Sequence, residues 1–254
     1  MPRLILLLAL LLSGGGLMSQ TKSFPVKGNQ TLNLAFDQAQ ITIIGTSASN
    51  VEIETSDYEA PPARAKGLKP LYNNATDNTG IGLMLEEGNG EMTIRQAQSK
   101  SGEYVLRVPK GMNLKFQERA WMGRSDLTIR NMSGEIEIET KNSDIILQGI
   151  TGPVTAGTTS GDIEIIFSSL SQKGPTTLTN ISGYIDVTMP GNTKANLLLK
   201  NITGEIYSNL ELATKEKDGL QQVGGQRNVE AMLNNGGVEL MVKNISGDIF
   251  LRKQ

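Results

Sequence analysis

Histidine and cysteine are both absent from this chain of 254 residues. Without cysteine there is no disulfide framework, no thiolate nucleophile and no cysteine-ligated zinc or iron–sulfur cluster. Without histidine there is no imidazole base, no Ser-His-Asp triad and no histidine-ligated metal. Any catalytic site would have to be built from carboxylates, Lys, Arg, Tyr or Ser. The 24 basic and 26 acidic side chains nearly cancel, which excludes a strongly basic nucleic-acid binder. Aromatic residues are also scarce, at 4% of the chain, while glycine is plentiful at 28 residues. So few large rings leave Ile, Val and Leu to build thin apolar layers. Glycine without a collagen period, set among β-branched residues, points to many turns and an all-β chain.

The only long apolar run lies at the start. Arg3 precedes Leu4 to Leu12, and the small residues Ser13, Gly14, Gly15 and Gly16 follow. This is the order of a secretory signal peptide, over residues 1–20. The run is shorter than the ~20 residues that span a bilayer. The expected mature chain begins between Gly16 and Lys22, with no integral membrane span after cleavage. No cysteine follows for lipid attachment, so the chain is expected in the periplasm, on the cell surface or secreted. An exported chain without cysteine leans bacterial.

The rest repeats. Asn131-Met132-Ser133-Gly134-Glu135-Ile136, Asn180-Ile181-Ser182-Gly183-Tyr184-Ile185, Asn201-Ile202-Thr203-Gly204-Glu205-Ile206 and Asn244-Ile245-Ser246-Gly247-Asp248-Ile249 share one phrase. Looser copies surround Gly152, Gly161 and Gly236. After each phrase apolar residues alternate, as in Ile136/Ile138, Ile163/Ile165, Ile185/Val187 and Val238/Leu240, the mark of a half-buried strand. Gly161, Gly183 and Gly204 are spaced by 22 and 21 residues, about one turn of a β-solenoid whose stacked coils share one corner conformation. Glycine supplies the left-handed residue, and Asn and Ser/Thr bond local backbone. Between Gly134 and Gly161 the rhythm falls to nine residues, placing strands on successive faces, two or three per turn.

These features predict a parallel β-solenoid over residues 126–254, preceded by an irregular β region and cap over 21–125, the two forming one continuous domain. In that front part, Thr31–Phe36, Gln40–Gly45, Asn50–Thr55, Gly82–Leu85, Glu91–Arg95 and Glu103–Val108 read as strands, and 61–78 as a long loop. Insertions at 168–174 and 212–226 read as polar loops. Val108-Pro109-Lys110-Gly111-Met112, Asp77-Asn78-Thr79-Gly80 and the repeated Ser/Thr-Gly-x-Ile resemble a family of bacterial exported proteins called putative adhesins, which carry a domain of unknown function. The likeness runs from about residue 24 to the C-terminus. It implies a right-handed β-solenoid (β-helix) and brings no catalytic residue.

Three constellations invite a functional reading. Glu135, Asp162, Glu205 and Asp248 follow the corner glycine, and Glu137, Glu164, Asp186 and Glu239 lie two further on. Stacked at about 4.8 Å they would form a Ca²⁺ ladder or a solvated face. The solvated face is preferred, because the glycine-rich nonapeptide of Ca²⁺-binding solenoids is missing. The pairs Glu135/Glu137 and Asp162/Glu164 share a strand face as glycosidase carboxylates do, but they recur where a catalytic pair would be singular. Trp121, between Arg119 and Arg124, and Tyr184 and Tyr207 are candidates for sugar stacking or for simple cover. Asn29, Asn74, Asn131, Asn180, Asn201 and Asn244 begin Asn-x-Ser/Thr sequons, and in the four repeat copies, at Asn131, Asn180, Asn201 and Asn244, the corner explains the formula structurally. No residue is assigned a catalytic, cofactor-binding or metal role.

The sequence therefore reads as a non-enzymatic exported cell-envelope protein, an adhesin-like or scaffolding solenoid without a cofactor. Its partner is a surface glycan or an envelope protein, not nucleic acid. The alternative is a carbohydrate-active β-helix protein that cleaves or binds polysaccharide, which a single groove cluster of Asp, Lys or Arg breaking the repeat would favour.

Overall fold

In the computed structural model, residues 20–68, 71, 75–98, 100–120, 123–214 and 227–254 are described. Apart from a 3-10 turn at Ala63–Ala65, their regular elements are strands. The front of the chain forms β1 (Gln20–Pro25), β2 (Thr31–Phe36), β3 (Ala39–Thr46), β4 (Asn50–Thr55), β5 (Leu83–Gly88), β6 (Glu91–Gln96) and β7 (Gly102–Pro109). The middle forms β8 (Asn113–Glu118), β9 (Ser125–Arg130), β10 (Ile136–Glu139), β11 (Ile145–Ile150), β12 (Val154–Ser160), β13 (Ile163–Phe167), β14 (Thr176–Ser182) and β15 (Ile185–Met189). The remainder forms β16 (Ala195–Thr203), β17 (Ile206–Ser208), β18 (Ala213–Thr214), β19 (Arg227–Leu233), β20 (Val238–Ser246) and β21 (Ile249–Lys253).

Two sheets share these strands. Sheet A runs β1-β4-β7-β3-β9-β11-β13-β15-β21-β17, and sheet B runs β18-β19-β16-β20-β14-β12-β10-β8-β2-β6-β5. From β8 to β15 the chain alternates between the sheets, so each coil has two faces. The nine-residue rhythm is this alternation: Ile136 and Val154 pair in sheet B, Ile145 and Ile163 in sheet A. The pairing between coils is parallel throughout. Among the described residues antiparallel strands occur only at the ends, where β4 and β1 extend sheet A, β5 extends one end of sheet B and β19 and β18 extend the other.

Strict alternation creates the core. In β8, Leu114 and Phe116 point inward and Lys115 and Gln117 outward, the period-two pattern of a strand with one buried face. In sheet A, Leu127, Ile145, Ile163, Ile185 and Ile249 stand in register, each buried. Beside them Ile129, Leu147, Ile165, Val187 and Leu251 do the same. Of the alternating residues expected in such columns, Ile206 and Val238 are only partly buried. Ile206 lies on β17, the last strand of sheet A, so only one neighbouring coil covers it.

Coil order differs from chain order at both ends. The 21-residue step from Gly183 to Gly204 predicts that these two coils touch. Instead the C-terminal pair β20–β21 lies between them: Ile185 pairs with Ile249, and Ile249 pairs in turn with Ile206. The chain leaves a slot after β15, builds β16–β17 beyond it, turns back through β18 and β19 along sheet B, and fills the slot last. The front mirrors this arrangement. The first coil, β2–β3, is enclosed between β6–β7 on one side and β8–β9 on the other.

The Asp77-Asn78-Thr79-Gly80 phrase is a turn rather than a site. The half-buried Asp77 carboxylate accepts hydrogen bonds from the backbone N–H of Thr79, Gly80 and Gly82 at 2.8–2.9 Å, and from the hydroxyls of Thr79 and Tyr58. Burial pushes its pKa up, but the three N–H donors and the Thr79 hydroxyl outweigh that and hold it below the ordinary value. Its stabilisation is therefore present above the unfolded pKa of about 4 and lost as pH falls through the lower folded value. Asp77→Asn is expected to cost about 1 kcal/mol at neutral pH and to flatten the acid limb of stability against pH. Urea titrations of both proteins between pH 7 and pH 3 check this, and parallel curves would contradict it.

Candidate binding surface

The repeated phrase serves two different corners. At the turn from sheet B into sheet A, Gly161, Gly183, Gly247 and Gly204 form one column, all with φ between 102° and 140°. A Cβ on Gly183 would overlap the Gly161 carbonyl oxygen, one on Gly247 that of Gly183, and one on Gly204 that of Gly247. Inside this corner the Asn side chains are buried. Asn180 donates to Gly161 O at 2.8 Å, Asn244 to Gly183 O at 2.8 Å and Asn201 to Gly247 O at 3.1 Å. The carboxamides fill a polar column that Glu118 begins. That buried carboxylate accepts from the backbone N–H of Ser125, Lys141 and Asn142 and from the Ser143 hydroxyl.

Asn131 breaks the expected equivalence. It lies at the other turn, from sheet A into sheet B, where Gly134 stacks on Met112 and Gly152 on Gly134. There the alternation is inverted: Asn131 is exposed and Met132 buried, whereas Asn180 is buried and Ile181 exposed. A one-residue shift exchanges the two faces of a strand. The sequons at Asn180, Asn201 and Asn244 are thus corner chemistry. Asn29 is exposed, and Asn74 lies outside the described residues.

The acidic slots divide the same way. Asp162, Glu164, Asp186, Asp248 and Glu205 lie along sheet A. Glu135, Glu137 and Glu239 belong to sheet B, where Glu137 pairs with Lys115 and Thr155 rather than with another acid. The two acidic slots read from the sequence are therefore each split between the sheets, so neither forms one continuous row. Most of these acids tie coils together. Asp144 accepts from Asp162 N at 2.9 Å, Asp162 from Tyr184 N at 3.0 Å and Asp248 from Glu205 N at 2.8 Å. Arg124 bridges Asp126 and Asp144, Arg252 grips Asp186, and Lys115 meets Glu137. Among the described residues no three acidic side chains converge as a metal cage.

The outward face of sheet A changes character over its last three coils. Phe250 on β21 stacks on Tyr207 of β17, with ring centres 5.4 Å apart and planes 12° apart. Tyr184 meets Phe250 edge-on at 6.1 Å. The Arg252 guanidinium carbon lies 5.3 Å from the Phe250 ring centre. Tyr207 is 51% exposed. The Tyr184 hydroxyl donates to Glu164, and that bond, with burial and the negative charge of Glu164, Asp162 and Asp144, raises its pKa. Around the corner, Ile181 and Ile202 are 48% and 41% exposed on the two coils that flank Ile245. Three neighbouring coils thus carry apolar and aromatic side chains on their outer surface.

The structure brings together two of the aromatics singled out from the sequence, Tyr184 and Tyr207. Trp121 lies outside the described residues. The arginines that flank it are engaged: Arg119 donates twice to Asp37, and Arg124 belongs to the acidic row above. Phe250 is the residue that sequence reasoning missed. A signal existed, because aligning the phrases on their glycines sets Phe250, three past Gly247, against Tyr207, three past Gly204.

Comparison with known proteins places the repeat. Residues 135–252 match the family model described as Toastrack DUF4097. Among curated proteins none matches this chain. Of solved structures, it is similar to a "putative cell adhesion protein" from Clostridium sporogenes, at 13% identity and TM-score 0.46, covering 93% of this chain and 99% of that one. It is also similar to a "putative adhesin" from Bacteroides fragilis, at 13% identity and TM-score 0.42, covering 92% and 97%. A third is a "putative lipid binding protein" from Parabacteroides distasonis, at 11% identity and TM-score 0.33, covering 93% and 96%.

Proposed function

We propose that this chain, matched by the Toastrack model over its C-terminal coils, is a non-enzymatic exported protein of the cell envelope that works as an adhesin-like rod. The observation that carries the reading is the use made of its carboxylates. Along sheet A, Asp144, Asp162 and Asp248 accept from the backbone of a neighbouring coil, Asp144 and Asp186 pair with arginine, and Glu164 accepts from the Tyr184 hydroxyl, so these acids hold coils in register. A glycosidase needs two carboxyl groups set apart for acid and nucleophile or base. Export rests on the N-terminal segment, residues 1–19 of which lie outside the described residues. No helix among the described residues is long and apolar enough to cross a membrane.

Two finer features belong to the same reading. The coil is right-handed, because a parallel pair such as β10 and β12, joined through β11 in the other sheet, follows the handedness of parallel crossovers. The antiparallel end strands are caps that keep the open rod ends from pairing with other chains. In the encoding organism, the mature protein is expected to begin between Gly16 and Lys22 and to be cleaved by protease added to intact cells or to cells with a permeabilised outer layer. N-terminal sequencing and protease protection test this. A retained Met1 on a protein found only in the cytoplasm would defeat the proposal.

A further inference from the structure

We propose that the aromatic strip ending at Tyr207 is a stacking platform for a glycan with free amino groups, an oligosaccharide of the glucosamine type. The inference rests on the adhesin-like reading and names the partner of its rod.

Three observations favour that occupant. The first is geometric. Tyr207 has one ring face against Phe250. Its strand, β17, is the last of sheet A among the described residues, while sheet B continues for two more strands, β19 and β18. Among the described residues, the other face of Tyr207 therefore has no coil of its own sheet above it, at a step at the end of the stack. A flat ring in such a place suits the apolar C–H face of a pyranose.

The second is the protein's own cation. The Arg252 guanidinium lies over Phe250 at 5.3 Å while it donates to Asp186 at 2.8 and 2.9 Å. One aromatic face and one carboxylate thus hold a positive group between them. An amino sugar stacked at Tyr207 would set a second positive group against the same aromatic pair.

The third is charge. Asp126, Asp144 and Asp186 each have an arginine partner. Among the described residues, no basic side chain forms an ion pair with Asp162 or Glu164, which meet Tyr184, or with Asp248, two residues before Phe250. The aromatic strip thus sits in a field of unneutralised carboxylates. Each already accepts a hydrogen bond from a neighbouring coil, and the negative charge they keep favours a cationic ligand over a neutral one. A lysine-rich peptide would satisfy the charge but lacks the flat C–H face that the Tyr207 ring is placed to meet.

Calorimetric titration of the full mature chain with a β-linked glucosamine hexamer, its N-acetylated counterpart and hexalysine decides the matter. The glucosamine hexamer is expected to bind saturably, and the N-acetylated hexamer and hexalysine about tenfold more weakly or not at all. Binding should weaken as salt is raised, because the surface charges are screened. Tyr207→Ala should weaken glucosamine binding about tenfold, whereas Tyr207→Phe keeps the ring and should stay within about threefold. Tyr207→Phe should melt with the parent, and Tyr207→Ala should melt within about 5 °C of it, because only the stack on Phe250 is lost from a half-exposed edge position. No saturable binding, equal binding of the N-acetylated hexamer, equal or tighter binding of hexalysine, or an unaffected Tyr207→Ala variant would each overturn the proposal. Any of these results in a chain still displayed on the cell envelope defeats the glycan assignment alone and leaves the envelope reading standing.

Discussion

Replacing Gly183 or Gly247 with alanine is expected to lower the melting temperature by roughly 5–15 °C, from a loss of about 2–5 kcal/mol. Two costs combine at each position. Gly183 and Gly247 have φ of 124° and 118°, a region that L-residues with a Cβ rarely enter. The new methyl would also run into the carbonyl oxygen of the glycine one coil away, Gly161 for Gly183 and Gly183 for Gly247. That carbonyl accepts the buried Asn side chain of the neighbouring coil, so yielding to the methyl would break a second contact. Glu137→Gln is the control. Its carboxylate is exposed and paired with Lys115 on the outer face of sheet B, and exposed pairs contribute at most about 1 kcal/mol. Differential scanning calorimetry of the three variants separates the cases. Alanine variants that melt with the parent would show that the corner column bears no strain.

Much of the core was legible because its signal is local. The alternation in Thr31–Phe36, Asn50–Thr55 and Ile136–Glu139 names both the strand and its buried face, since period two is enforced residue by residue. The corner glycines were legible because close stacking leaves no room for a side chain. Three features were not, for a shared reason. The inverted phase at Asn131 and the division of the acidic slots depend on which of the two turns a phrase occupies, and the coil order on which coil lies next in space; the phrase itself records neither. The motif at Gly204 has the same residues whether its neighbour is Gly183 or Gly247, because either neighbour presents an equivalent glycine carbonyl and an equivalent strand. A repeat that makes every coil interchangeable as a neighbour conceals the order of the coils. The aromatic strip was half hidden for a related reason: Phe250 and Tyr207 lie 43 residues apart along the chain yet stack as neighbours, in a pairing of β17 with β21 that no local pattern announces.

The intercalated C-terminal coil carries the second large expected effect. Deleting residues 238–254 is expected to abolish the cooperative thermal transition altogether. If β20–β21 were simply the last coil of a solenoid, their removal would expose one coil face and cost a single nearest-neighbour interface. In this chain they lie between β14–β15 and β16–β17 and pair in parallel with both. Removal breaks two interfaces at once and leaves two opposed rows of strand edges unpaired, with Leu178, Ile185, Val187, Leu197 and Leu199 losing neighbours from the slot. Exposed parallel edges of that length pair with other chains, so the truncated protein should aggregate rather than melt. Point substitutions give the same answer without truncation. Leu251 is buried within β21, and Leu251→Ala should cost about 2–5 kcal/mol. Ile206 is only partly buried on the outermost strand, and Ile206→Ala should cost less, because part of its surface is already in contact with water. A solenoid stacked in simple chain order would reverse that ranking, since β21 would then be the exposed end and β17 an interior strand. Urea denaturation of the two variants therefore reads the coil order directly, and an Ile206→Ala variant less stable than Leu251→Ala would overturn it.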